Sequence, residues 1–74
     1  MNKRKRKEDE LTVREIEVLI LISKKMNDFE IGEELCISHH TAHSHRKEIY
    51  KKFAAHSDLE AVLVGIERGY LKFT

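Results

Sequence analysis

A small all-α domain of four helices, with a helix-turn-helix at its centre, is the fold this sequence predicts. Three observations carry that reading. The 74 residues include no Pro and three Gly, with 41% hydrophobic and 36% charged residues, which suits a compact helical chain better than a strand-rich or disordered one. Apolar residues recur at three- and four-residue spacing along separate stretches. Each stretch opens on a residue that can cap a helix N-terminus: Thr12, Asn27, Ser38 and Ser57. A chain of this length buries only about 60% of its unfolded-state surface, so one small core is expected, with little room for an enclosed catalytic pocket. The chain reads as no enzyme.

Residues 1–10 form a charged tail, in which Lys3, Arg4, Lys5, Arg6 and Lys7 are followed by Glu8, Asp9 and Glu10. Two readings stand: a solvated tail, or a basic arm lying along phosphates or in a minor groove. The folded domain is expected over residues 11–74. Its first helix opens with the capping box Thr12-Val13-Arg14-Glu15, with Leu11 placed as a hydrophobic staple. Ile16, Val18, Leu19, Ile22 and Met26 gather on one side of it, and Ile20 and Leu21 lie toward the edges. Five consecutive apolar residues, Val18 to Ile22, exceed one face of a surface helix. Either this helix is central to the core or Ile20 and Leu21 touch a partner.

Asn27-Asp28-Phe29-Glu30 is a second box, opening a short helix with Phe29, Ile31 and Leu35 as its apolar residues. Gly32 costs about 1 kcal/mol relative to Ala inside a helix, which suggests a close approach by the next helix. Cys36 and Ile37 make the corner. Ser38 then caps a helix running to Phe53, with Thr41, Ala42, His45, Ile49 and Phe53 as its buried stripe and His45 as a core residue. A third box, Ser57-Asp58-Leu59-Glu60, opens the last helix, which stops at Arg68-Gly69. Leu59, Val62, Leu63 and Ile66 lie on one side and Val64 on another, and Tyr70, Leu71 and Phe73 are placed to fold back on the core. Val64, with small Ala61 and Gly65 nearby, would suit a self-complementary helix contact; the alternative is a helix that only closes the core.

Net charge is +1, but its distribution is uneven. Asp28 to Leu35 carries four acids and no base, whereas His39 to Lys52 carries Arg46, Lys47, Lys51 and Lys52 against Glu48 alone. A helix with one buried side and one basic, hydrogen-bonding side fits the major groove of DNA. Four of the five histidines fall within His39 to His45. Only His39 and His43 share a helical face, and two ligands without a nearby Cys or carboxylate make a weak metal site, so neither metal nor cofactor is expected. Protonation of His39, His40 or His43 would add positive charge near phosphate. The single Cys36 excludes an internal disulfide. No signal-peptide run and no stretch of about 18 apolar residues is found, which predicts a cytoplasmic, nucleoid-associated protein without a membrane partner.

These residues resemble a known family. Leu11-Thr12-x-Arg14-Glu15-x-Glu17-Val18-Leu19, then Glu30-Ile31, Leu35-x-Ile37-Ser38-x-x-Thr41, His45, Ile49, Lys52, Ala61-Val62 and Gly69 are similar to the pattern of the LuxR/GerE-type helix-turn-helix domain. The likeness covers about Leu11 to Leu71 without a gap. Such domains stand alone or form the C-terminal output module of response regulators and quorum-sensing receptors. The resemblance implies a domain that binds double-stranded DNA as a homodimer, with the third helix in the major groove and the fourth as the dimer contact. It implies base reading by His43, Ser44 and Lys47, and places Ser38, Thr41, Lys51 and Lys52 near phosphates. To the phosphate set the sequence reading adds Arg46, which groove geometry exposes, and His39 and His40. The dimer contact is expected at Ala61, Val64, Gly65 and Arg68. RNA polymerase or another regulator is a further conceivable partner. Lys25, Ala42, His43 and Ala54 depart from the residues frequent in that family, which are Gly, Val, a base and Gly in turn. The rival expectation is a protein-interaction module that keeps the fold without DNA binding.

Overall fold

The computed structural model describes residues 10–72, so the predicted tail lies outside the described residues except for Glu10, as does Phe73. Four helices run in the order α1 (Val13–Ser23), α2 (Asp28–Leu35), α3 (His39–Phe53) and α4 (Asp58–Glu67). No strand occurs among the described residues. α1 is central, as its surplus of apolar residues requires: Val18, Leu19, Leu21 and Ile22 are buried, and they meet Ile31 of α2, Ala42, Ile49 and Phe53 of α3, and Ala61 of α4. Ile20 is left at the surface, so the apolar run divides between core and solvent.

The caps explain where helices begin. Thr12 accepts from the Glu15 N–H while the Glu15 carboxylate accepts from the Thr12 N–H, and Asn27 and Glu30 repeat that exchange. Ser38 accepts from the Thr41 N–H. The third predicted box forms only in part. Ser57 accepts from the Glu60 N–H, but the Glu60 carboxylate accepts from the N–H of His56, one residue before the cap.

The corner between α2 and α3 is made by backbone contact. A Cβ on Gly32 would lie 2.7 Å from the Ile37 carbonyl oxygen and 3.3 Å from the His39 nitrogen. Any larger residue would push the turn off α2, which is the close approach its presence suggested. Cys36, at φ 59°, turns the chain and is exposed rather than packed in the corner. Lys25 and Ala54 also adopt left-handed conformations, at φ 67° and 53°, where glycine would be free of strain. After Gly69 the chain folds back, and the Tyr70 hydroxyl accepts from the Leu11 N–H at 3.1 Å, joining the two ends of the domain.

α4 meets α1 through its small residues. Ala61 is fully buried, and a Cβ on Gly65 would lie 2.9 Å from Leu19 Cδ2 and 3.1 Å from Leu71 Cδ1. This corrects the dimer contact expected at Ala61 and Gly65: both face the interior, because only small side chains let the two helices come together. Val64 is half-buried against the core, and Arg68 places its guanidinium 5.1 Å from the centre of the Phe53 ring. The outward apolar residues of α4 are Leu59, 68% exposed, and Leu63, 54% exposed. Among the described residues, no helix is long and apolar enough to cross a membrane.

Candidate nucleic-acid interface

α3 is divided lengthwise into an inner and an outer ridge. Ala42, Ile49 and Phe53 are buried, and Arg46, whose side chain turns inward to partners on α2 and α4, lies along their side of the helix. His45 is half-buried and Thr41 exposed, so neither joins the core as expected. Thr41 instead shares a hydrogen bond with the Ser38 hydroxyl at 3.0 Å, tightening the first turn. His40, Ser44, Lys47 and Lys51, at spacings of four, three and four, form the exposed ridge, with His43 beside it.

Two predicted phosphate ligands turn inward, and both are corrections. The Arg46 side chain is 12% exposed; its Nε donates to Asp28 at 2.8 Å, Nη1 to Asp58, and Nη2 to the Met26 carbonyl at 3.0 Å. One guanidinium thus joins α2, α3, α4 and the α1–α2 turn. Its fork of donors suits several fixed acceptors, which an ammonium could not satisfy in the same plane. Burial alone would lower the Arg46 pKa, but hydrogen bonds and charge from Asp58 and Asp28 outweigh it and raise it. Lys52, also 12% exposed, donates to Glu15 at 2.8 Å and to the Glu10 carbonyl at 3.0 Å. Burial pushes the Glu15 carboxyl up, yet the Lys52 hydrogen bond, the Thr12 backbone N–H and the Lys52 charge together bring it below its ordinary value.

Sequence reasoning missed the part played by Asp28 and Asp58. Asp28 accepts from Arg46 through one carboxylate oxygen and lies 2.8 Å from His43 Nδ1 through the other. Burial raises its pKa, but the Arg46 and His43 hydrogen bonds outweigh that and lower it overall. Asp58 takes both Arg46 and the Tyr50 hydroxyl. Burial and then Asp58 push the Tyr50 phenol up. The acidic run from Asp28 was visible in the sequence; its partners, 15 and 18 residues away, were not.

At the N-terminal end of α3, exposed Phe29 stacks on His39 with ring centres 4.0 Å apart, and His40 lies 4.1 Å beyond. Among the described residues, no group of three or more His, Cys, Asp or Glu is arranged to hold a metal ion. What α3 leaves exposed is this ridge, with Ser38, His40 and Thr41 at its start and half-buried His39 beside them.

Two helices locked at a three-residue corner, the second presenting a cationic, hydrogen-bonding ridge and burying the opposite one, define a helix-turn-helix module of the DNA-binding type. The family profile described as "Bacterial regulatory proteins, luxR family" matches residues 9–64, and the chain belongs to that family. It is 36% identical over 69 residues to the transcriptional regulatory protein YdfI of Bacillus subtilis, covering 93% of this chain and 32% of that protein. It is 31% identical over 61 residues to the response regulator GacA of Pseudomonas aeruginosa, covering 82% of this chain and 28% of GacA. With the response regulator UvrY of Escherichia coli it shares 32% identity over 59 residues, 80% of this chain and 27% of UvrY. The chain therefore spans about a third of the length of the curated relatives it matches. No solved structure matches it.

Proposed function

We propose that this domain is the DNA-binding part of a non-enzymatic transcriptional regulator, placing α3 in the major groove and acting as a homodimer on two half-sites. The observation that carries the reading is the division of α3: Lys47 and Lys51 are exposed on the outer ridge, without an ion pair among the described residues, while Arg46 and Lys52 are committed inside. Ser44, Lys47 and His43 are the proposed base readers, and Ser38, Thr41, His39, His40 and Lys51 the phosphate contacts. Lys47 donating to guanine O6 or N7 is the most specific contact.

Dimerisation is assigned to α4, through the outward residues Leu59 and Leu63 flanked by Val62 and Ile66. Two large side chains four positions apart, both more than half exposed, make an apolar strip that a single chain leaves in water. A two-fold axis across that strip would bury it on both copies. The likeness to the transcriptional regulatory protein YdfI supports a role in transcription; a cytoplasmic location at the nucleoid, with RNA polymerase or another regulator as a further partner, belongs to the same proposal.

The test is selection from random double-stranded DNA with Lys47→Ala in parallel. An enriched inverted repeat that is lost with Lys47→Ala establishes the reading, and a chain that enriches nothing at low salt refutes it. Exposed Ile20 beside Leu35, in a groove of about 190 Å³ between α1 and α2, supports the rival reading of a protein-docking module. Association insensitive to salt would favour that rival, since neutralised phosphates release counterions.

A further inference from the structure

His43 stands where the base-reading face begins, and its ring is not free to choose its proton. Nδ1 lies 2.8 Å from an oxygen of Asp28, and the side chain is 56% exposed on the other side. Burial raises the Asp28 pKa, but the hydrogen bond and charge of Arg46 and the His43 hydrogen bond outweigh it, so the carboxylate is ionised at neutral pH. An ionised carboxylate can only accept. Nδ1 must therefore carry the hydrogen, and in the neutral ring Nε2 is then a bare acceptor. Among the described residues Nε2 has no hydrogen-bond partner.

We propose that Asp28 is a positioning residue for sequence readout, fixing the His43 tautomer so that Nε2 meets the DNA as an acceptor when the ring is neutral and as a donor when it is protonated. The inference rests on α3 entering the major groove. As an acceptor, Nε2 selects an exocyclic amino group, N6 of adenine or N4 of cytosine. As a donor it meets guanine N7 or O6, thymine O4 or adenine N7, so protonation admits guanine and thymine and disfavours cytosine. One position of the half-site thus changes preference with pH, while positions read by Ser44 and Lys47 do not.

The charged groups around the ring favour this arrangement without dominating it. Asp28 of α2 faces it directly, and the other oxygen of that carboxylate accepts from Arg46. Asp58 of α4 is reached only through Arg46, and Lys25 lines the same concavity as Asp28, Arg46 and Asp58. His39 and Lys47, one turn away on either side, add positive charge along the helix face.

Selection on random duplexes at pH 8 and pH 6 tests this with the wild-type chain, His43→Gln and Asp28→Asn. The expected result is one half-site position that prefers adenine or cytosine at pH 8 and at pH 6 gains guanine and thymine at the expense of cytosine. The change should be about fivefold, the value of one hydrogen bond gained or lost. Gln, which carries donor and acceptor together, removes the pH dependence at that position alone. Asp28→Asn weakens it there while leaving the positions read by Lys47 unchanged. A preference independent of pH, or a pH response that survives His43→Gln, overturns the proposal.

Nitrogen-15 spectra of the histidine rings in the free wild-type chain provide the second measurement. At pH 8 they should report His43 protonated at Nδ1, and protonation at Nε2 overturns the tautomer assignment even if Asp28→Asn does not fold. Failure to bind any duplex while the ring is Nδ1-protonated refutes the groove reading and, with it, this use of the tautomer.

Discussion

The two cations of the inner ridge and the two of the outer ridge of α3 have the same formal charge and different work. Arg46 and Lys52 satisfy Asp28, Asp58 and Glu15 and hold four segments together, whereas Lys47 and Lys51 are exposed and have no ion pair among the described residues. The formal charge of a helix is therefore not the charge it offers. Of four cations between His39 and Lys52, half are neutralised within the fold.

The comparison is broken most sharply by removing an inner cation. Arg46→Ala or Lys52→Ala leaves carboxylates without a partner in partly dehydrated surroundings, and each should lower unfolding free energy by about 3 kcal/mol in denaturant titrations. For Arg46 the expected loss sits at the lower end, since Asp58 is half exposed and water replaces part of its contact. An outer substitution does the reverse. Lys47→Ala should change stability by less than about 0.5 kcal/mol while costing about 1 to 3 kcal/mol in binding to the preferred duplex. Fluorescence anisotropy and thermal unfolding on the same preparation separate the two effects.

Acid sharpens the same contrast with a smaller effect. Glu15 and Asp28 have folded-state pKa values below their ordinary ones, so they bind fewer protons folded than unfolded. Their contribution is complete above the ordinary carboxylate range and is lost as pH falls through it toward the depressed values. Stability should therefore decline on acidification below about pH 5, and Glu15→Gln should flatten that decline. The smallest effect expected is a gain. Ala54 closes α3 at φ 53°, so Ala54→Gly should stabilise the domain by about 0.5 to 1 kcal/mol, read from the denaturation midpoint.

How much of this was legible from residues alone differs from helix to helix. Helix starts were, because a cap and its acidic partner are three residues apart and need no tertiary information, as Thr12–Glu15 and Asn27–Glu30 illustrate. The phase of α3 was less so. Between Ala42 and Ile49 the core stripe can pass through residue 45 or 46, and hydrophobicity favours neither a histidine nor an arginine there. Only acceptors from α2 and α4 decide for Arg46, and they are remote in sequence. α4 misled for a related reason. Its large residues suggested a core face, yet close contact with α1 selects Ala61 and Gly65 and leaves Leu59 and Leu63 outside. A helix apolar on two sides carries two candidate faces, and size at the contact chooses between them.

The most direct test of the divided helix is the salt dependence of duplex binding by Lys51→Ala and Lys52→Ala, compared at a temperature where both are folded. The account predicts that Lys51→Ala reduces the slope of log affinity against log salt by about 1, as expected for one lost phosphate contact, and that Lys52→Ala leaves it unchanged. An equal reduction from both, or a reduction from Lys52→Ala alone, would contradict it.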